Sequence, residues 1–273
     1  MPILILILFI LFIIVVVWVF KLRRKRFNEK LRNADFKPAW VLILQKNMGL
    51  YNRLPEPLKH KLHGLIHVFL HEKTFSGFNG LEINDEIKVT IAAQACLLML
   101  NRDEDLYPTL YNIFVYPDAY KSMETTSDGM VHTVRESVRL GESWHRGHVV
   151  LSWQHAKQGS VVDDDGHNVV YHEFAHQLDN LDGAIDGTPE LDSSANYRTW
   201  VKAFGHEFSQ LREMVSAHKK TLIDSYGAES EGEFFAVVTE LFFEQPERFA
   251  KKHPELFREL IKFYHLDPLD WVR

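Results

Sequence analysis

In Val169-Val170-Tyr171-His172-Glu173-Phe174-Ala175-His176-Gln177-Leu178-Asp179, the apolar residues Val169, Val170, Phe174, Ala175 and Leu178 recur near helical spacing and define one buried face. His172 and His176 stand four positions apart, so on a helix they project from one side a single turn apart. Both imidazoles can then reach one ion at about 2.0–2.1 Å. Glu173, the next residue after the first histidine, is directed to the side where a water activated by the ion would lie. It suits the role of general base rather than ligand. Zinc at such a position polarises a scissile carbonyl and lowers the pKa of water toward neutrality, so amide hydrolysis needs no protein nucleophile.

The surroundings support this placement. Asp163-Asp164-Asp165-Gly166 reads as a turn with helix-start residues, and Gly183 marks the end of the periodic stretch 169–182. Upstream, residues 111–116 and 148–153 read as strands, with 130–138 as a further one. A strand before the motif is suited to hold an extended peptide. Residues 58–71, 87–100, 197–218, 231–243 and 254–264 carry helical patterns, with Pro246 and Pro254 as punctuation. The expected fold is therefore α+β, mostly helical with a small sheet, in one domain over residues 55–273.

A catalytic zinc site takes a third protein ligand and leaves one position open. Glu233, Glu240 and Glu244 share one stripe of the 231–243 helix at steps of seven and four. The pattern alone leaves open which of them reaches the ion. Glu142-Ser143-Trp144-His145 and Glu173-Phe174-Ala175-His176 are both Glu-x-x-His pairs, the motif of carboxylate-bridged diiron bundles. The first pair lies between Gly141 and Gly147 beside a strand, where a four-helix site fits poorly. His60, His63, His67 and His71 recur at three- and four-residue steps, which makes a polar helix face in the absence of nearby carboxylates.

Residues 2–20 contain no charged side chain, and at about 1.5 Å per residue they would span about 28 Å, the hydrocarbon thickness of a bilayer. No basic residue precedes this stretch and no small-residue cleavage site follows it, so a retained transmembrane helix is expected rather than a signal peptide. Lys21, Arg23, Arg24, Lys25 and Arg26 come directly after. The positive-inside rule places the body in the cytoplasm, at the inner membrane of a single-pass protein, with Trp18 at the inner interface. Anionic lipid headgroups suit this cluster. The expected partition is an anchor with its basic cluster over 1–26, a linker and entry segment over 27–54, polar from 27 to 36, and then the catalytic domain. With five of its 31 basic residues at the anchor and a formal charge of -6, the body is acidic, which argues against nucleic acid as a partner. The single cysteine, Cys96, lies in an apolar run and reads as a core thiol.

Several separated segments resemble the Mlc titration factor A family of bacterial zinc peptidases: 129–132 (GMVH), 147–153 (GHVVLSW), 172–179, 223–226 (IDSY), 233–243, and Phe263-Tyr264 before Asp267-Pro268-Leu269. The likeness runs from about Pro55 to Asp270. It implies a zincin-like domain with a gluzincin-type site, in which His172, His176 and Glu233 bind Zn2+ and Glu173 is the base. It also implies His132 as a further metal ligand of the resting site. Tyr226 would be a hydrogen-bond donor to the developing oxyanion, and Asp179 a partner for a ligand imidazole. The expected substrate is a peptide or protein. The family's namesake captures a glucose-responsive transcriptional repressor, so a transcriptional regulator is an expected alternative partner. Soluble members of the family lack the N-terminal apolar segment found here.

Overall fold

The computed structural model describes residues 2–102, 104–118, 120–128, 131–139, 141–144 and 147–271, with side chains throughout except at Pro2, Leu4 and residues 120–144. The apolar N-terminus forms a single helix, α1 (Pro2–Arg32), whose side chains from Ile5 to Phe20 project away from the rest of the chain. It is the described helix long and apolar enough to cross a bilayer, with a mean hydropathy of 3.2 over its apolar window.

The expected linker at 27–36 is corrected: α1 continues through it to Arg32 and packs antiparallel on α4 (Glu56–Glu72). Leu31 and Phe36 join the margin of the core. Between α1 and α4 in sequence, α2 (Pro38–Asn47) and α3 (Gly49–Arg53) pack together, α2 on α5 (Asp85–Leu98), which follows the short strand β1 (Thr74–Gly77), while Trp40 and Tyr51 reach α4. The histidine stripe of α4 serves this junction. His63 stacks on Phe36 at 3.8 Å and its Nε2 meets the Tyr51 hydroxyl at 2.9 Å, while His67 packs against Phe36 and Trp40 and His71 against Phe27. Burial, helped by the charges of His60 and His67, pushes His63 down to about 4, so it works as a neutral aromatic ring.

α5 is buried on almost every side from Ile87 to Leu98, and its start is capped by Asn84 Oδ1, which accepts from Ile87 N at 3.0 Å. Cys96 is fully buried within it. β2 (Asn112–Tyr116) then enters the sheet, followed by a separate hairpin of β3 (Tyr120–Asp128) and β4 (Val131–Arg139). β5 (Gly141–Trp144) and β6 (His148–Ser152) complete a four-stranded sheet in the order β1-β2-β6-β5. β1, β2 and β6 run parallel, with Thr74 opposite Asn112 and Asn112 opposite His148, and β5 is an antiparallel edge. The alternation in β2 buries Ile113 and Val115 and leaves Phe114 partly exposed.

α6 (Trp153–Val161) leaves the sheet with Ser152 as its cap, and α7 (Val169–Asp179) carries the histidine motif. The expected 169–182 helix stops at Asp179, where a single 3-10 turn over Asn180–Asp182 ends at Gly183 with φ 95°. α8 (Ser194–Ser216), α9 (Glu231–Glu244), α10 (Pro246–Lys252) and α11 (Pro254–Tyr264) form the C-terminal helical layer. Its centre is aromatic. Trp200 stacks on Phe204 at 3.8 Å and meets Phe235 and Phe263 edge-on, which fixes α8, α9 and α11 around one point. The mostly helical architecture with a small sheet is as expected. Glu142 lies on strand β5, so the four-helix diiron arrangement has no structural basis.

Candidate metal centre

Two helices make the centre. α7 is started by Asn168, whose Oδ1 accepts from the backbone of Val170 and Tyr171 at 3.1 and 3.0 Å and whose Nδ2 donates to Gly159 O at 2.9 Å. The far side of α7 is locked by Phe174, fully buried against Tyr107 at 4.8 Å and Phe69 at 5.8 Å. Turning Phe174 inward leaves His172 and His176 on the opposite side, with ring centroids 4.9 Å apart. α9 begins at Ser230, whose hydroxyl accepts from Glu233 N at 3.2 Å, so Glu233 occupies the first turn where the helix dipole favours its charge.

The two elements bring three ligand atoms together. Glu233 Oε2 stands 3.0 Å from His172 Nε2 and 3.4 Å from His176 Nε2, and all three atoms lie within 4.8 Å of one another. Ligand atoms around a tetrahedral zinc at 2.0–2.1 Å sit about 3.4 Å apart, and two imidazoles with one carboxylate are a zinc-type donor set. The residues fit the ion.

The acidic stripe of α9 divides into three different roles. Glu233 reaches both imidazoles. Glu240 approaches His172 from behind, with Oε1 2.8 Å from Nδ1, and its other oxygen accepts from Asn168 N. It therefore holds the ring with Nε2 facing Glu233 and ties that ring to the cap of its own helix. Glu244 turns away to accept from Gly166 N at 2.9 Å. Spacing alone could not separate these three, because steps of seven and four give all of them the same helix face.

The charges follow the same division. Burial opposes a charged His172, but its hydrogen bonds to Glu233 and Glu240, with the charges of Glu240 and Glu173, hold its pKa well above the ordinary value. Burial likewise opposes ionised Glu233, and the two histidines outweigh it and hold the carboxyl well below the usual range. Burial, reinforced by the charges of Glu240 and Asp165, pushes Glu244 up to about 9 despite its bond from Gly166.

Glu173 is 5% exposed, on α7 between the two ligand positions. Tyr226 sits on a 3-10 turn (Ser225–Ala228) fixed by Asp224 Oδ1, which accepts from Tyr226 N at 2.8 Å. Its ring centroid is 5.8 Å from that of His172, and the residue is 46% exposed. The structure thus brings Glu173, Tyr226, His172, His176 and Glu233 into one locality. His132 lies on β4 opposite Ser127, and its side chain is outside the described residues.

Asp179 makes its hydrogen bond to the backbone rather than to a ligand imidazole. Its Oδ2 accepts from Gly187 N at 2.8 Å, while its Oδ1 and His176 Nδ1 are both buried with no hydrogen bond. Asp179 clamps the loop that runs past the start of α9, and Gly187 O accepts from Trp200 Nε1 at 2.9 Å on the other side. Gly187 has φ 74°, and a Cβ there would fall 2.4 Å from Glu231 O, so the loop can lie against α9 only with glycine at this position.

The pattern of glucose-regulated metallo-peptidase M90 matches residues 19–265, the whole of this architecture beyond the apolar segment. The chain belongs to that peptidase family. An uncharacterized protein of Synechocystis sp. is 41% identical over 248 residues, 88% of each chain. Mlc titration factor A of Escherichia coli is 32% identical over 228 residues, covering 82% of this chain and 84% of the relative, and a protein of the same name from Shigella flexneri matches to the same extent. M90 membership makes this a metallopeptidase-type domain. The match covers α7, α9 and the turn carrying Tyr226 together.

Proposed function

We propose that this M90 protein is a zinc-dependent peptidase anchored by α1, with its catalytic domain on the cytoplasmic side. The observation that carries the reading is the convergence of His172, His176 and Glu233 within 4.8 Å beside the buried Glu173. Zinc held by those three residues supplies Lewis-acid polarisation of a peptide carbonyl and makes water acidic enough to ionise near neutral pH.

The protein's own groups do the rest. Glu173 takes the proton from the attacking water and delivers it to the leaving amine. Tyr226, exposed at the rim, donates its hydroxyl hydrogen to the carbonyl oxygen as negative charge develops there. Glu240 keeps Nδ1 of His172 engaged so that Nε2 stays aimed at the metal position. The antiparallel strand β5 ends the sheet among the described residues and offers an edge along which an extended peptide can lie. The five basic residues after the apolar segment favour a cytoplasmic body.

Zinc content and hydrolysis of a peptide library, measured together, test the assignment. Glu173→Ala is expected to keep zinc and lose about 10²–10⁴-fold in rate, and His176→Ala and Glu233→Ala to lose zinc as well. A Glu173→Ala protein with both zinc and full activity would refute the mechanism. The name Mlc titration factor A favours one second reading, capture of a transcriptional regulator without hydrolysis. Under that reading Glu173→Ala leaves the captured regulator bound and no peptide is cleaved by the unaltered chain.

A further inference from the structure

The contact between α1 and the body carries a consequence for how the domain meets the membrane. Arg24 donates from Nε to Glu72 Oε1 at 3.0 Å, with Nη2 2.9 Å from the same oxygen, and its Nη1 is 3.4 Å from Asp105 Oδ2. One turn on, Asn28 Nδ2 donates to Glu72 at 3.0 Å and the Phe27 ring lies 4.8 Å from His71. Two turns beyond Arg24, α1 comes so close to α4 that a Cβ at Gly64 would stand 2.7 Å from Arg32 O. Docking on this scale, from Arg24 to Arg32, makes α1 a stalk rather than a tether.

The first of these contacts falls only four residues past Phe20, the last residue of the apolar run. Four helical residues rise about 6 Å, and the headgroup layer on each side of a bilayer is about 5–8 Å deep. Glu72 and Asp105, which touch Arg24, therefore stand at headgroup depth when the apolar run spans the hydrocarbon.

Tyr111 belongs to the same pole. Its carbonyl accepts from Thr74 N at 2.9 Å, two residues past Glu72, and the residue is 63% exposed. Tyrosine is an interfacial residue of membrane proteins, apolar in body and wet at the tip. The acids of this pole are paired in part, Glu72 and Asp105 with the one guanidinium of Arg24 and Glu104 with Arg102 at 2.9 Å, which leaves three carboxylates against two guanidinium groups. Lys21, Arg23, Lys25 and Arg26 remain exposed around the stalk for anionic lipid.

We propose that the end of α4, the 104–111 loop and Tyr111 form a lipid-facing pole, seated by the α1–α4 contact in the headgroup layer of an anionic leaflet. The seating rests on the membrane-anchored reading of α1, and fixes the height and tilt of the catalytic domain over the bilayer.

Depth-dependent quenching tests it. Full-length protein carrying one introduced thiol, at Val17→Cys, Tyr111→Cys or Val161→Cys, is labelled with a fluorophore and reconstituted into phosphatidylcholine–phosphatidylglycerol vesicles. These vesicles contain lipids with a nitroxide either at the headgroup or along the acyl chain. Native Cys96 is fully buried and stays unlabelled. Val161 is the soluble-side control, close to Asp163, which pairs with Arg53 beyond the opposite end of α4. The expected result is quenching of the Val17 label by acyl-chain nitroxide, quenching of the Tyr111 label by headgroup nitroxide, and none at 161. Gly64→Val, which forces α1 off α4, should abolish quenching at 111 and leave that at 17. Quenching at 17 with none at 111 overturns the seating. Persistent quenching at 111 in Gly64→Val overturns the stalk as its cause, and no quenching at 17 overturns the anchor itself.

Discussion

His172 stands between two carboxylates, and the protein uses them differently. Glu233 shares its Nε2 side with His176, whereas Glu240 holds Nδ1 at 2.8 Å. Glu240→Gln is expected to keep the fold and weaken zinc binding by about 10–100-fold, the usual effect of losing a carboxylate behind a ligand imidazole. Competition with a chromogenic chelator reads this, and an unchanged affinity would remove Glu240 from the centre. The third acid of the stripe gives a pH signature. The folded protein raises Glu244 to about 9 from an ordinary 4.5, so the folded state binds the proton more tightly than the unfolded state. Its stabilising effect is full below pH about 4.5 and is lost as pH rises through 9. Glu244→Gln should flatten the decline of Tm between pH 5 and 9, by about 2–4 °C for each kcal/mol recovered. Parallel melting curves for the two proteins across that range would contradict the burial argument.

At the scale of elements, the centre depends on how α7 and α9 are held against each other. Gly187 is the tightest point of that frame, with its positive φ and its contact with Glu231 O. Gly187→Ala is expected to push back the start of α9, displacing Glu233 and lowering zinc affinity while Glu240 keeps its bond to His172. Isothermal titration with zinc measures the loss; full affinity would show that the loop can yield without moving the helix. The motif on α7 was legible because helical periodicity and the histidine spacing describe the same object. Even the cap was foreshadowed in the turn before it, although the capping residue proved to be Asn168. The bond of Asp179 to Gly187 is not legible in the sequence for a physical reason: its donor is a backbone N–H in a loop, and a backbone donor leaves no mark in sequence. The separation of Glu233 from Glu240 and Glu244 was likewise beyond periodicity, because it depends on the position of α7 across a long-range contact.

For the molecule as a whole, composition exposed the apolar helix and the mostly helical body, since both rest on local patterns. β1 and β5 went unrecognised because each is four residues long and gains its strand character from neighbours, Asn112–Val115 for β1 and His148–Leu151 for β5. The polar stretch at 27–36 was misread for the opposite reason. Polar residues look like a linker when only solvent is considered, yet Asn28, together with Arg24 just before the stretch, spends its polarity on Glu72 and leaves Phe27, Leu31 and Phe36 to pack. Three histidines of α4, His63, His67 and His71, share in this, supplying flat apolar faces to Phe27, Phe36 and Trp40. The body and its N-terminal helix are thus one folded unit as far as Phe36.

A continuous helix transmits angle as well as length. With 3.6 residues per turn, each residue inserted between Phe20 and Arg24 would swing the body about 100° around the stalk and lift it about 1.5 Å. Seven inserted residues would restore nearly the same azimuth about 10 Å higher. With α1 across a bilayer as proposed, the bearing of the candidate metal centre within the plane of the membrane would be written in the phase between the apolar run and Arg24, and a chain of this design could re-aim that centre by changing a residue count far from it.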